Sequence, residues 1–329
     1  MNTMNKKQMR ITCIVISYNQ ENYILETLNG ILSQTVLPDE VIIADDGSTD
    51  KTPLLIKSFV NENLLQEKWK LILSHKNEGI TCNLKKAIKA STGDILLLNA
   101  GDDISLPNRC QHAIKLFEQY PNLYIITGSI TKINAQGKII GNITYDDILY
   151  NDVVTTIKNG MPKVFPVGQA IRKTLFDRFG DLPTSVPNED DQITFWGLIS
   201  GGIFCSSEMI MKYRVHSLSA SSWIRNKQSG REFLKRFIED MPIRKKHMEL
   251  WLKAVEKGEN EYICLKKLIQ SKIELYDFLS NVENISVWKR LKCFLHQYST
   301  TNLREKVYIL GGVYGILSWR QLKIILKKQ

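Results

Sequence analysis

Apolar and polar positions fall in alternating blocks along the first hundred residues. Ile11-Thr-Cys-Ile-Val-Ile16 is a nearly unbroken apolar run rich in β-branched side chains. Such a run predicts a strand buried on both faces, as in a parallel sheet. Tyr23, Ile24, Thr27, Leu28, Ile31 and Leu32 follow at the i, i+3, i+4 spacing of an amphipathic helix. Val41–Ala44, Lys70–Leu73 and Ile95–Leu98 read as further short strands. Helices are expected up to Phe59, from about Thr81 to Ala90, and from Pro107 to Gln119. Asp50 or Thr49 suits the cap of the second helix, and Thr92-Gly93 stops the third. Strand–helix alternation implies a parallel sheet with right-handed crossovers, whose ligands bind beyond the carboxyl ends of the strands. The polar residues at those ends are Ser17-Tyr18-Asn19, Asp45-Asp46 and Asp102-Asp103.

The middle of the chain is less regular. Asn134-Ala-Gln-Gly137 predicts a hairpin turn between Ile130–Ile133 and Lys138–Ile140. A helix is expected over Arg172–Phe179, after a stretch containing Gly168 and Gln169, and a strand over Met209–Lys212. Asn188-Glu-Asp-Asp191 stands ahead of the apolar helical stretch Ile193–Ile199, where the helix dipole favours acids. From Lys227 onward the pattern is helical throughout, with apolar faces marked by Phe233 and Phe237, Leu250 and Trp251, and Leu268, Leu275 and Leu279.

Charge divides the 329 residues more sharply than hydropathy does. Residues 1–225 carry 23 Lys and Arg against 23 Asp and Glu, whereas residues 226–329 carry 21 against 11, the entire net excess of +10. Two parts with two roles are expected, over residues 1–225 and 226–329. At 43% hydrophobic and 24% charged the chain is neither disordered nor a polytopic membrane protein. The longest uncharged apolar-rich run, Val307–Trp319, has thirteen residues, short of the roughly 18 of a membrane span. The polar stretch Met1–Arg10 and the short run after it predict no signal peptide. The six cysteines lie far apart, with no metal-ligand spacing, and are expected to be buried thiols. Residues 284–329 hold nine Lys and Arg against one acid, Glu305. Trp, Tyr and apolar residues among these bases suit a helix lying in the headgroup region of an anionic membrane. A helical bundle with a basic polar face has the same composition, and no nucleic-acid recognition motif is present.

Adjacent aspartates follow a buried strand twice. Four carboxylates on one edge repel each other unless a cation or hydrogen-bond donors offset the charge. Asp102-Asp103, without thiolate or imidazole beside it in sequence, is a hard-oxygen pair suited to Mg²⁺ or Mn²⁺ with phosphate oxygens filling the remaining positions. Asp-Asp and Asp-Gly are also good turn formers, so a purely conformational reading stands beside this one.

Ile14-Val-Ile-Ser-Tyr-Asn19, Tyr23-Ile24, Thr27-Leu28, Ile31-Leu-Ser-Gln-Thr35 and Val41-Ile-Ile-Ala-Asp-Asp-Gly-Ser-Thr-Asp50 together resemble the start of family 2 glycosyltransferases. Ala100-Gly-Asp-Asp103 followed by Pro107 is similar to their metal-binding Asp-x-Asp region, with Ala100 where many members carry a further Asp. The resemblance runs from about Ile11 to Ser221. It implies a GT-A fold, a Rossmann-like mixed and mostly parallel α/β sheet flanked by helices, followed here by the α-helical C-terminal region. It also implies a nucleotide-diphosphate-sugar donor (UDP-sugar foremost), a divalent metal (Mn²⁺ or Mg²⁺), and inverting transfer to a hydroxyl of a glycan or lipid-linked acceptor. The bacterial surface-polysaccharide type, with O-antigen or capsule synthesis, is the nearest match. Such an enzyme would be cytoplasmic and peripheral at the inner face of the plasma membrane.

Carried onto this chain, the resemblance places Ser17, Tyr18 and Asn19 at the donor, with Tyr18 against the base. Asp46 accepts from the base N–H, Asp45 supports that loop, and Asp102 approaches the ribose or sugar. Asp103 binds the metal, and His216 of Tyr213-Arg-Val-His216 contacts the metal or a phosphate. Asp190 is the catalytic base, with Asp191 as its neighbour and alternative. A nucleotidyltransferase would want a Gly-rich, basic phosphate loop after the first strand, which Ser17–Asn22 lacks. A nucleotide-sugar-binding scaffold without turnover is the non-enzymatic alternative.

Overall fold

The computed structural model describes residues 9–159, 167–185, 189–216, 229–256 and 263–326, the last eight of them by backbone alone. The expected alternation is present: β1 (Ile11–Ser17), α1 (Ile24–Leu32), β2 (Glu40–Asp45), α2 (Thr52–Glu62), β3 (Trp69–Leu73), α3 (Ile80–Ala90) and β4 (Ile95–Ala100). There follow β5 (Ile104–Ser105), α4 (Arg109–Gln119), β6 (Ile125–Asn134), β7 (Ile139–Ile143), β8 (Ile148–Tyr150), α5 (Val153–Lys158), β9 (Ala170–Arg172), α6 (Thr174–Phe179), α7 (Glu189–Ile199) and β10 (Ile203–Val215).

The ten described strands form one sheet in the order β3-β2-β1-β4-β9-β6-β10-β5, with β7 on β6 and β8 on β10. β1 pairs in parallel with both β2 and β4, which explains why its run has no polar alternation. Ile14, Val15, Ile42 and Ile43 are fully buried. Burial of each such side chain stabilises the fold by about 1.5–3 kcal/mol. The apolar faces of α1, α2 and α4 close over the sheet through Leu28, Ile31, Ile56, Phe59 and Phe117.

Two elements differ from expectation. Arg172 is not helical: it ends β9, which runs antiparallel between β4 and β6, and the helix begins at Thr174. Its guanidinium donates to the carbonyls of Leu123 and Phe117 and lies 4.6 Å over the Phe117 ring. A three-residue strand is too short to show a period of two. The strand expected over Met209–Lys212 extends over thirteen residues, with register shifts against β6 between Ser206 and Met211 that interrupt its alternation. The hairpin at Asn134–Gly137 forms as expected between β6 and β7.

The chain divides into two compact units, residues 1–151 with 164–222 and residues 152–163 with 223–329. The border expected at 225/226 lies outside the described residues, as do Asn188 and Lys327-Lys328. The second unit comprises α5, α8 (Gly230–Glu256), α9 (Ile263–Ser280), α10 (Val287–Gln297) and α11 (Leu303–Leu326). Its core is built from Leu234, Met241, Leu275, Leu279, Ile309 and Ile316. Buried Lys272 pairs with Glu305, and both Lys272 and Asn302 donate to the carbonyl of Lys158, which ties α5 into this unit. No described helix is long and apolar enough to cross a membrane. All six thiols are free; Cys13, Cys110 and Cys205 are buried as expected, whereas Cys264 on the first turn of α9 is exposed.

Candidate active site

The carboxyl ends of β1, β2 and β4 meet because Ser17 is in register with Asp45 and Ile16 with Ala100. Asp45 is fully engaged there. Its carboxylate accepts the Ser17 hydroxyl at 2.9 Å, the Ser48 hydroxyl at 2.6 Å and the Ser48 N–H at 2.9 Å. Asn19, in the left-handed region at φ 53°, accepts the Thr49 N–H at 2.9 Å and donates its own N–H to Ser48 Oγ. Asn19 and Asp45 therefore knit the loops after β1 and β2 together. Gly47 adopts φ +74°, and a Cβ on it would stand 2.5 Å from the Lys76 backbone. The close approach brings the chain of 77–79 onto Asp46, whose oxygens accept the N–H groups of Glu78 at 3.0 Å and Gly79 at 2.8 Å.

Asp102 and Asp103 occupy the turn from β4 to β5. Two buried guanidiniums surround them and supply part of the charge compensation. Arg214 of β10 donates its backbone N–H to Asp103 Oδ1 at 2.8 Å and its Nε to the Asp102 carbonyl at 3.0 Å. Its Nη2 reaches Glu26 of α1 at 2.8 Å, and its Nη1 reaches the carbonyls of Asn134 and Ala135. Arg109 of α4 donates to Asn99 Oδ1 at 2.6 Å, to Ser105 Oγ and to the Leu98 carbonyl, while Asn99 in turn donates to the Asp103 carbonyl. Burial, reinforced by the neighbouring Asp102 charge, pushes the Asp103 carboxyl well above the usual carboxylate range. His216 Nε2 meets Asp102 Oδ2 at 2.9 Å, and the imidazole packs 4.8 Å from the Tyr23 ring.

These loops enclose a cavity of about 540 Å³. Tyr18, Asp46, Asp102, Asp103, Gln169 and Asp190 stand in its wall. Of the residues picked from sequence, Ser17 also lines it, whereas Asn19, Asp45, Asp191 and His216 do not. The two acids at the start of α7 are thereby separated: Asp190 faces the cavity wall and Asp191 does not. Tyr18 is 42% exposed and forms an aromatic surface at the rim.

Asp103 Oδ2 is buried and has no hydrogen-bond partner among the described residues, and Asp103 lines this cavity. An orphaned carboxylate oxygen on a residue that lines a cavity fits a cation, because a hard divalent ion takes oxygen ligands and leaves positions for phosphate oxygens. Among the described residues no group of three or more His, Cys, Asp or Glu side chains is arranged to hold a metal, so the protein side of such a site is thin. This agrees with an alanine at position 100.

Sequence reasoning missed Glu189. It lines the cavity beside Asp190, and burial followed by the Asp190 charge raises its pKa to about 7. Its adjacency to Asp190 was visible; its burial was not. Arg109 and Arg214 were likewise missed, since a single arginine on a helix or strand gives no signal that it is buried.

The fold is a mixed α/β sheet flanked by helices, with an acid-lined cavity at the carboxyl ends of its parallel strands. The chain belongs to glycosyl transferase family 2, whose model matches residues 12–179. It is 28% identical over 117 residues to the putative glycosyltransferase EpsE of Bacillus subtilis, a match covering 36% of this chain and 41% of that protein. The chain spans less than half the length of several curated relatives, EpsE among them. Among solved structures it is similar to S. aureus TarS residues 1–349, with a TM-score of 0.60 and 17% identity over 95% of this chain and 92% of that one. It is also similar to the mannosyltransferase PcManGT of Pyrobaculum calidifontis, with a TM-score of 0.53 and 15% identity over 96% of this chain and 87% of that one. Both likenesses concern the fold, a GT-A-like mixed sheet with flanking helices and a helical C-terminal region. Structures are known of TarS in complex with UDP and with UDP-GlcNAc, and of PcManGT in complex with GDP-Man and Mn²⁺.

Proposed function

We propose that this protein is an inverting, metal-dependent glycosyltransferase that moves a sugar from a nucleotide-diphosphate donor, foremost a UDP-sugar, to a hydroxyl of a glycan or lipid-linked acceptor. The observation that carries the reading is that Asp46 and Asp103, from two separate loops, and Asp190, from the first turn of α7, all stand in the wall of one cavity.

Tyr18 offers its ring to the base, and Asp46, already positioned by the loop 77–79, has lone pairs left to accept a base N–H. Asp102 reaches the ribose or sugar. Asp103, with Asp102 beside it, would hold Mn²⁺ or Mg²⁺, which supplies positive charge against the charge developing on the departing diphosphate. His216 keeps Asp102 oriented through their shared hydrogen bond. Asp190 accepts the proton of the acceptor hydroxyl as that oxygen attacks the anomeric carbon from the face opposite the leaving group. Attack from that face inverts the anomeric centre.

The domain of residues 1–225 carries the chemistry in this reading. Residues 226–329 bring the enzyme to the inner face of the plasma membrane, where a lipid-linked acceptor in O-antigen or capsule synthesis is found. A thermal-shift screen of UDP-, GDP- and dTDP-sugars with and without Mn²⁺ tests the donor assignment, because a ligand of the native state raises apparent stability by mass action. A Mn²⁺-dependent rise with one nucleotide is the expected result. No rise with any nucleotide sugar contradicts it.

A further inference from the structure

We propose that α10 is the surface by which the protein lies on an anionic bilayer, its apolar face inserted among lipid headgroups and its lysines against lipid phosphates. The inference rests on the peripheral-membrane reading above and gives it a location.

α10 is an eleven-residue helix capped by Ser286, whose hydroxyl accepts the Lys289 N–H. One side faces its own unit: Cys293 and Phe294 pack on the core of α8, α9 and α11, Gln297 is buried, and the Arg290 guanidinium lies against Gly312 of α11. The opposite side should be polar in a helix that only packs. Instead it carries Val287 (68% exposed), Trp288 (80%), Leu291 (40%) and Leu295 (68%), with Tyr298 (55%) just beyond its end. At about 100° per residue these five fall within an arc of about 100°, one continuous apolar stripe. Leu303 and Leu310 on α11 are also exposed, and Lys306 Nζ sits 3.5 Å over the Tyr298 ring.

The charges beside the stripe choose its occupant. Lys289 and Lys292 are exposed on α10, and α10 contains no acid. His296 lies on the same flank, with Glu274 of α9 at 3.8 Å. The one acid in residues 284–329, Glu305, is buried against Lys272 and contributes no negative charge to this face. A protein-binding patch is typically depleted of lysine. A stripe of Trp, Leu and Tyr bordered by lysine is the composition of an interfacial helix, since Trp and Tyr favour the headgroup level and lysine stems reach along apolar surface to the phosphates. The sequence continues with Arg320, Lys323, Lys327 and Lys328, which keeps the same charge sign.

Vesicle co-sedimentation of the full chain tests this, with vesicles of phosphatidylcholine alone and of phosphatidylcholine mixed with phosphatidylglycerol. Two double variants are compared with the wild type: Trp288→Glu with Leu295→Glu, and Lys289→Glu with Lys292→Glu. All four positions are exposed, and matched thermal unfolding verifies that the fold is kept. The expected result is binding to the anionic vesicles only, weakened at least about tenfold by either pair and by raised salt. Wild-type binding that both variants retain overturns the assignment to α10 and leaves the peripheral reading standing. Absence of wild-type binding at low salt overturns both. A wild-type dimer that the Trp288→Glu/Leu295→Glu chain cannot form, without vesicle binding, overturns the assignment in favour of a second copy of the chain.

Discussion

The backbone N–H of Arg214 and the carboxylate of Asp103 meet at 2.8 Å, 111 positions apart in the chain. That bond joins β10 to the turn after β4, and the same arginine's guanidinium fixes the Asp102 carbonyl and Glu26. One fully buried residue thus sets the position of both aspartates. Replacing it with alanine keeps the backbone bond to Asp103 but removes the donors to the carbonyls of Asp102, Asn134 and Ala135 and to Glu26. Arg214→Ala is expected to lower stability by about 2–4 kcal/mol, read from urea denaturation. Arg214→Lys recovers little of this, because an ammonium cannot reproduce a guanidinium that serves four acceptors in different directions.

Asp190 and Asp191 are neighbours, yet only the first lines the cavity. Asp190→Asn is expected to reduce the transfer rate by roughly 10²–10⁴ while nucleotide binding is kept, the loss typical of a removed general base. Asp191→Asn is expected to change the rate by less than about tenfold, since it does not reach the cavity. Initial rates of nucleotide release with a competent acceptor compare the two, and a larger loss in the Asp191 variant reverses the assignment.

Glu189 links the site to pH. Its folded pKa is raised from 4.5 to about 7, by burial first and the Asp190 charge second. A carboxyl with a raised pKa binds more protons folded than unfolded, so its contribution falls as pH climbs from about 4.5 to 7 and the penalty is complete above 7. The partial exposure of the residue reduces the effect to roughly 2–3 kcal/mol. Glu189→Gln is therefore expected to raise Tm relative to the wild type near pH 8 and to leave it nearly unchanged near pH 4. Paired melting curves across that range read the difference, and a constant offset would show that Glu189 does not titrate there.

Much of the sheet was legible because its central strands are buried on both faces, so Ile11–Ile16 and Val41–Ala44 show no alternation to misread. The acids at the strand ends were legible for a related reason: parallel strands bring their carboxyl ends to one edge, and Asp46 and Asp103 do line a common cavity. What stayed hidden depends on long-range burial. Nothing near Arg109 or Arg214 in sequence announces a desolvated guanidinium, and Glu189 gains its character from its depth first and the Asp190 charge second. Asp45 points toward Ser17 and Ser48 because their hydroxyls saturate it, a pairing that spans 28 residues. β9 escaped notice because three residues are too few for periodicity.

Asp46 offers a test of the loop after β3. Its carboxylate accepts two charge-assisted bonds from the backbone of Glu78 and Gly79. Asp46→Ala is expected to cost about 2–3 kcal/mol and to weaken nucleotide binding at least about tenfold, by freeing the segment that forms one side of the cavity. Urea denaturation and nucleotide titration of the same variant separate the two effects.

The most direct measurement is equilibrium titration of the nucleoside diphosphate chosen by the donor screen, with and without Mn²⁺, into the wild type, Asp103→Asn and Asp190→Asn. The account expects Mn²⁺-dependent binding in the wild type, retention in Asp190→Asn, and loss of the Mn²⁺ dependence with at least about tenfold weaker binding in Asp103→Asn. Binding of equal strength in the wild type and Asp103→Asn, indifferent to Mn²⁺, would contradict it.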